Sequence, residues 1–168
     1  MAEDNFTLAT FYTQWKAYQE HIKESIAPLT AEQLALRAAP NLRSIRENAA
    51  HIVGCRAGWF TFTLGEDSDA DVKAIASWDE PDAPARSAAE LVQALDKTWQ
   101  LMADCLARWS PADMQQTFVE ARPDDWDGEQ PYLSRAWIVW HVLEHDLHHG
   151  GETSLILGMH GIQAEFAV

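Results

Sequence analysis

The chain has 168 residues, 47% of them hydrophobic and eight of them tryptophan, so we expect one folded domain over residues 1–168 rather than a disordered segment. Its formal net charge of −14 argues against nucleic acid or an anionic membrane surface as a partner, because phosphate groups would be repelled. Two distant cysteines, no basic leader and no long apolar run favour a reduced, cytoplasmic protein without a membrane span.

Helical periodicity begins near the N-terminus. Apolar residues that recur at steps of three and four predict a first amphipathic helix over residues 5–27, which Pro28 ends. Thr30 and Gln33 then form a capping-box pattern, which predicts a short helix near 31–37.

The same pattern predicts two further helices in the middle of the chain. A second helix is expected over 43–64, with Gly65 as its C-terminal stop. The acidic, proline-containing stretch 66–86 is expected to be a long surface loop. A serine and a glutamate in capping-box spacing then open a third helix, which extends over 87–109.

A second long connection, 111–133, precedes the last helix and contains a short extended piece at 116–120. The fourth helix is predicted over 134–157. Its main apolar stripe is Trp137, Trp140, Leu143, Leu147 and Leu155. A second apolar group lies round the helix, at Ile138, Val142 and Ile156. A helix that is apolar on two faces is buried on two sides, either in a bundle or at a homodimer interface.

Four long helices with almost no strand signal predict an all-α fold, an antiparallel four-helix bundle. The two long connections leave room for a long crossover, which stays an alternative to simple up-down topology.

The most specific chemical signal is a histidine run in the fourth helix, WHVLEHDLHHGGE. It contains His141, His145, His148 and His149. Residues four apart on a helix share a face, so two imidazoles can bind one metal ion. Spacing alone leaves three pairs open: His141 with His145, His145 with His149, and His145 with His148. Alternatively, the histidine run is simply part of an exposed, solvated helix face and has no function.

A metal site needs a third ligand from elsewhere in the chain. Three further histidines are present, and His51, in the middle of the second predicted helix, is better placed than His21 or His160. Three histidine ligands would leave a coordination position open, which is typical of a catalytic site.

Several neighbours of these histidines have two readings. Cys55 lies four residues after His51, so it could be a fourth metal ligand or a reactive thiol. We favour the interpretation that it is a small core residue. Trp59 is equally consistent with a pocket wall and with core packing. We expect Trp137 and Trp140 to be core residues.

The carboxylates beside the run also have two readings. Glu144 and Asp146 flank His145, and we expect both to be solvated charges. Glu152 lies one turn beyond His148 and His149 and is the better candidate for a carboxylate that contacts the site.

Two stretches resemble the DinB-like superfamily, which includes mycothiol-dependent maleylpyruvate isomerases. These are SIRENAAHIVGCRAGWF in the second predicted helix and WHVLEHDLHHGGETSLIL in the fourth. IAPLTAEQLALRAAPNLRSI also resembles the family's linker after the first helix, so the resemblance covers nearly the whole chain. It implies a metal triad of His51, His145 and His149, which leaves His141 and His148 as neighbours that orient a ligand.

The resemblance also implies a chemistry. Members carry a divalent transition metal such as zinc, nickel or iron, and characterised ones use a low-molecular-weight thiol such as mycothiol or bacillithiol. A thiol-dependent S-transferase acting on a small-molecule substrate is therefore the leading expectation. A metal-dependent hydrolase and a stress-associated metal- or ligand-binding protein without turnover are the alternatives. Gly150 and Glu152 depart from the family pattern, which often has arginine or lysine and then glutamine. Arg56 and Arg135 are the nearest candidates to bind an anionic thiol.

Overall fold

The computed structural model describes residues 8–66, 68–119 and 131–164, and confirms the predicted all-α class for them. The α-helices are α1 (Leu8–Phe11), α2 (Thr13–Ile26), α3 (Ala31–Leu34), α4 (Ile45–Ala57), α5 (Ala70–Ile75), α6 (Ala88–Arg108) and α7 (Arg135–Met159). A π-helical segment, Gly58–Thr63, continues α4, and a 3₁₀ turn spans Asp113–Gln115. Strands β1 (Thr117–Val119) and β2 (Tyr132–Ser134) pair antiparallel.

Local sequence signals place the helix starts correctly. The side-chain oxygen of Thr30 accepts the Gln33 N–H at 3.2 Å, and that of Ser87 accepts the Glu90 N–H at 3.3 Å, so both predicted capping boxes are formed. The first predicted helix is divided at Tyr12 into α1 and α2, and its expected first residues, 5–7, lie outside the described residues.

The predicted surface loop over 66–86 is wrong for part of its length, because α5 lies within it. The Asp69 side chain accepts the Val72 N–H at 2.8 Å and caps this helix. Val72 and Ile75 are buried one turn apart, where α5 packs against α4 and α6. Two apolar residues are too few for a periodicity signal, but tertiary packing stabilises the short helix.

The extended piece predicted at 116–120 is confirmed where it is described. Residues Thr117–Val119 form β1, and Phe118 lies opposite Leu133 of β2. Residues 120–130 of the predicted connection lie outside the described residues.

The core lies around α4, which packs against both α6 and α7, while α2 packs against the same two helices. The antiparallel four-helix bundle, its alternative with a crossover and the homodimer stay predictions. Among the described residues, no helix is both long enough and apolar enough to cross a membrane.

The prediction that the main apolar stripe of the last helix is buried is wrong for its two tryptophans. Trp137 is 43% exposed and Trp140 59% exposed, so neither is a core residue. The second apolar group is the buried one, together with Val139 and Leu157. Both faces of α7 are apolar in sequence, and the packing of α4 and α2 against this helix decides which face is covered.

A buried polar network joins α2, α4 and α7. Arg56 and Asp146 are both fully buried, and the Arg56 guanidinium donates to the Asp146 carboxylate through Nη2 at 2.6 Å and Nε at 3.0 Å. Trp15 Nε1 donates to the same carboxylate at 2.6 Å, and Arg56 Nη1 donates to Gln19 Oε1 at 2.7 Å. The prediction that Asp146 is solvated is therefore wrong, because a buried arginine from another helix neutralises it.

Helix α7 approaches α2 closely at Gly150. A Cβ atom built on Gly150 would lie 2.6 Å from Tyr18 Oη and 3.0 Å from the same ring's Cε1. The close approach explains glycine at a position where the resembled family often has a basic side chain.

We expect Gly150→Ala to lower the free energy of unfolding by about 1–3 kcal/mol, because the added methyl group forces α7 and the Tyr18 ring apart. Urea unfolding would measure the change. Gly151→Ala is the matched control, since nothing lies within 4 Å of its Cβ and alanine raises helix propensity. Equal effects of the two substitutions would contradict the steric explanation.

Candidate metal centre

Three histidines from two helices meet at one place. His51 lies on α4, and His145 and His149 lie one turn apart on α7. The His51 ring centroid is 5.0 Å from that of His145 and 4.7 Å from that of His149. One ligating atom from each of the three residues lies within 4.8 Å of the other two, so the group can hold a metal ion.

Carboxylates orient two of the three rings. His51 Nδ1 donates to Asp79 Oδ2 at 2.7 Å, and His149 Nδ1 donates to Glu152 Oε2 at 2.8 Å. A carboxylate that accepts the Nδ1 proton fixes the tautomer and leaves the lone pair of Nε2 for a metal. The third ring, that of His145, has a buried Nδ1 with no hydrogen-bond partner among the described residues. An orphaned imidazole nitrogen beside two oriented rings fits a metal-binding role.

The local electrostatics favour the neutral form of two of the three rings. Burial, followed by the charges of the neighbouring histidines, lowers the pKa of His145 to about 4. Burial also lowers the pKa of His149, although the hydrogen bond with Glu152 opposes the shift. Neutral imidazole is the form that binds metals, so protons compete little for these two ligands at neutral pH.

Asp79 is the functional residue that the sequence reasoning missed. It follows α5, in the stretch predicted as a loop, and Gly54 of α4 lets it approach: a Cβ there would lie 3.0 Å from Asp79 Oδ1. The hydrogen bond to His51 is the first cause that lowers the pKa of Asp79. The cap at Asp69 was the one local signal that a helix begins in this segment, and it does not indicate the contact with α4.

We expect Asp79→Asn to weaken metal binding by about 10–100-fold. The Asp79 carboxylate orients the His51 ring and makes its other ring nitrogen more basic, and the substitution removes that charge. Competition with a chromophoric chelator would measure the affinity. Glu80→Gln, which removes the adjacent exposed carboxylate, is the control. An Asp79→Asn protein with wild-type affinity would remove Asp79 from the site.

The two remaining histidines of the run lie at its edges. His141 stacks on Trp137, with centroids 4.8 Å apart, and its ring meets that of His145 edge-on at 4.4 Å. His148 is 64% exposed in its side chain and lies 3.3 Å from Glu152 Oε1. Both therefore contact residues of the triad or its carboxylates. Neither His21 nor His160 belongs to a metal-capable group among the described residues.

Two further metal-capable groups among the described residues overlap the triad. One consists of His148, His149 and Glu152, and the other shares His145. Ligating atoms of Cys55, His141 and His145 also lie within 4.8 Å of one another. Cys55 is partly buried, and burial raises the pKa of its thiol well above the usual value. At neutral pH the thiol therefore stays protonated, whereas the imidazoles are already in the neutral form that binds metals.

An open cavity of about 350 Å³ lies over the centre. Its lining contains His51, His145, Cys55, Trp59, Thr63 and Asp79. Trp59 forms part of this wall, in edge contact with the rings of Trp137 and His141. The cavity gives a small molecule access to the two helices that carry the histidines.

The arginines expected to bind an anionic thiol do not reach this cavity. Arg56 is fully buried in its network with Asp146. Arg135 is 6% exposed, and it lies over the Trp109 ring and donates to the Asp113 carbonyl at 2.8 Å. Neither of these two candidates therefore lies where it could contact an anionic ligand in this cavity.

Comparisons with known proteins found one family model and two solved structures that are similar to this chain. The model of the DinB family matches residues 1–165. A DinB-like protein from Bacillus cereus ATCC 10987 is similar in structure, with a TM-score of 0.71, 20% identity and coverage of 96% of this chain and 98% of that one. A conserved protein from Enterococcus faecalis has a TM-score of 0.64, 13% identity and coverage of 91% and 99%. No curated protein matches the sequence.

Proposed function

Because the chain belongs to the DinB family, we propose that it is a divalent-metal-dependent enzyme, with His51, His145 and His149 as ligands, that activates a thiol for S-transfer. The observation that carries the proposal is the meeting of three imidazoles, two of them with lowered pKa, beside an open cavity. Such an arrangement suits a catalytic rather than a closed structural site.

Imidazole ligands accept zinc, nickel and iron, so the chemistry of the donors is compatible with each. When bound, a divalent metal with an open position lowers the pKa of a thiol or water and supplies a nucleophile near neutral pH. Three protein ligands, rather than four, leave such a position.

The surrounding side chains would keep the centre in its productive geometry. Asp79 and Glu152 hold the rings of His51 and His149 through their Nδ1 protons. Trp59 gives the cavity an aromatic wall against which an apolar electrophile can pack. The chain's own residues thus orient the ligands and position the second substrate.

A thiol panel tests the activity. The metal-loaded protein would be incubated with mycothiol, bacillithiol or glutathione and monochlorobimane, and the fluorescent conjugate would be measured. The thiol sulfur forms a bond to carbon, the carbon–chlorine bond breaks, chloride leaves and the thiol proton passes to solvent. We expect conjugation with at least one thiol, and its loss in His51→Ala.

Other outcomes would replace the proposal. No conjugation with any thiol would overturn S-transfer. Turnover of esters or amides without added thiol would instead indicate a hydrolase that uses bound water. Tight metal binding with neither activity would indicate a metal- or ligand-binding protein.

A further inference from the structure

The outward side of α7 carries little charge. The exposed residues of this helix all lie on one side of it, and they are Trp137, Trp140, Glu144, Leu147, His148, Gly151, Leu155, Gly158 and Met159. We call this set the α7 outer face. Glu144 is its single carboxylate, although 23% of the residues of the chain are charged. A solvated helix face normally presents charged residues, so the composition of this face is typical of a contact surface.

The apolar surface of the α7 outer face is large. Trp140 and Met159 are each 59% exposed, and Leu155 is 60% exposed. Trp137 and Leu147 are 43% and 45% exposed. Because a large apolar side chain has about 200 Å² of surface, these five side chains together leave roughly 500 Å² in contact with solvent. A patch of that size marks an interaction site, and a standard interface removes about 800 Å² from each partner, so the face is large enough for a reversible contact.

The charge of the chain restricts which partner this face fits. Two proteins with a net charge of −14 each repel one another, so two copies can approach only over surfaces that are poor in carboxylates. A basic partner would be attracted to the acidic surfaces of the chain rather than to this face. The partner surface must therefore be apolar and nearly uncharged, and the same face of a second copy meets both conditions.

The α7 outer face is complementary to itself when two copies of the helix lie antiparallel. A two-fold axis between positions 147 and 148 sets Leu147 of one copy beside His148 of the other. The same axis sets Trp140 opposite Leu155, and the symmetry makes this contact twice. Helices that cross at about 20° stay in contact over many turns, and α7 has 25 residues, so both ends of the face can take part.

The remaining bulky residues of the face then lie opposite glycines. Trp137 faces Gly158 of the second copy, and Glu144 faces Gly151. Nothing lies within 4 Å of a Cβ atom built on either glycine, so each leaves a gap that the opposite side chain can enter. The gap beside Gly151 also keeps the Glu144 carboxylate in contact with water, which avoids the cost of burying its charge.

We propose that two copies of this chain associate through their α7 outer faces, with the two α7 helices antiparallel around Leu147. The proposal does not depend on the proposed S-transfer function. The described lining of the cavity over the metal centre contains no residue of this face, so the cavity stays open in the dimer.

Sedimentation velocity on the full chain, with metal removed, tests the contact. We expect monomer and dimer to exchange at about micromolar concentration, since the patch is at the lower end of interface sizes. Leu147→Glu should weaken the dimer by more than about 100-fold, because two like charges would meet beside the axis. Leu42→Glu is the matched control: it makes the same change of net charge at a leucine that is 47% exposed and lies outside α7, and it should leave the dimer intact.

Mixing two variants tests the antiparallel arrangement. Leu147→Glu and Leu147→Lys should each be monomeric alone, while an equimolar mixture should recover dimers, because opposite charges then meet beside the axis. Trp140→Lys repeats the disruption at a second exposed position of the face, and circular dichroism checks that each variant is folded. A mixture that stays monomeric would overturn the arrangement.

Three further results would overturn the proposal. The first is a wild-type chain that stays monomeric up to about 1 mM. The second is equal weakening by Leu147→Glu and Leu42→Glu, since net charge rather than this face would then control association. The third is binding of a monomeric wild-type chain to phosphatidylcholine vesicles that is lost in Leu147→Glu, which would assign the face to a membrane surface.

Discussion

Replacing Asp146 with alanine should lower the free energy of unfolding by about 3–5 kcal/mol, because the substitution leaves the guanidinium of Arg56 buried without its counter-charge. Arg56 has no exposed surface and two hydrogen bonds from its Nε and Nη2 groups depend on this carboxylate. Trp15 would lose its acceptor as well. Urea unfolding of the metal-free protein, monitored by tryptophan fluorescence, would measure the change.

Glu144→Ala is the matched control for this substitution. It removes a carboxylate two residues away on the same helix, but from an exposed side chain, so we expect a change within about 0.5 kcal/mol. A double variant, Arg56→Met with Asp146→Leu, should recover most of the lost stability, because apolar side chains replace both charges. A double variant as unstable as Asp146→Ala would contradict the uncompensated-charge explanation.

The buried pair also fixes where the histidines lie. Arg56 is five residues beyond His51 on α4, and Asp146 follows His145 on α7, so the ion pair holds the two helices in one register. Slipping either helix would separate both the ion pair and the three histidines. The interior network and the candidate metal centre thus depend on the same packing of α4 against α7.

The helices could be predicted because their signals are local. Periodicity and the capping boxes at Thr30 and Ser87 lie within a few residues of the elements they start. The covered face of α7 could not be predicted in the same way, since two apolar faces compete and the partner helices decide between them. For the same reason Asp146 was taken as solvated: its partner Arg56 lies 90 residues away in the chain.

The candidate site likewise contains residues that local spacing indicates and residues that depend on contacts between distant parts of the chain. Helical spacing identified the histidine run but left its pairing open, and the choice of His145 and His149 came from the family resemblance. His51 was favoured first by its position in the second predicted helix and then by the same resemblance. Asp79 lies where the connection after α5 folds back beside α4, and no spacing pattern in the sequence marks that contact.

The second large effect is expected at the triad itself. His51→Ala, His145→Ala and His149→Ala should each weaken binding of zinc or nickel by more than about 100-fold, since losing an outer-sphere partner alone typically costs 10–100-fold. Elemental analysis of the purified variants and chelator competition would measure it. His148→Ala is the control on the same helix, because its side chain is mostly exposed, and it should retain the metal.

His149→Ala and one further variant, His141→Ala, decide between the triad and the group of Cys55, His141 and His145. His145 belongs both to the triad and to that group, so His145→Ala loses metal under either of these two assignments. His149→Ala and His141→Ala are the informative pair: we expect loss in the first and near-wild-type stoichiometry in the second. The cobalt-substituted protein gives an independent readout, since a Cys55 thiolate ligand would add a sulfur-to-metal charge-transfer band that three imidazoles lack. Such a band, together with metal retained in His51→Ala, would move the ion to the group of Cys55, His141 and His145, where the raised pKa of the thiol opposes it.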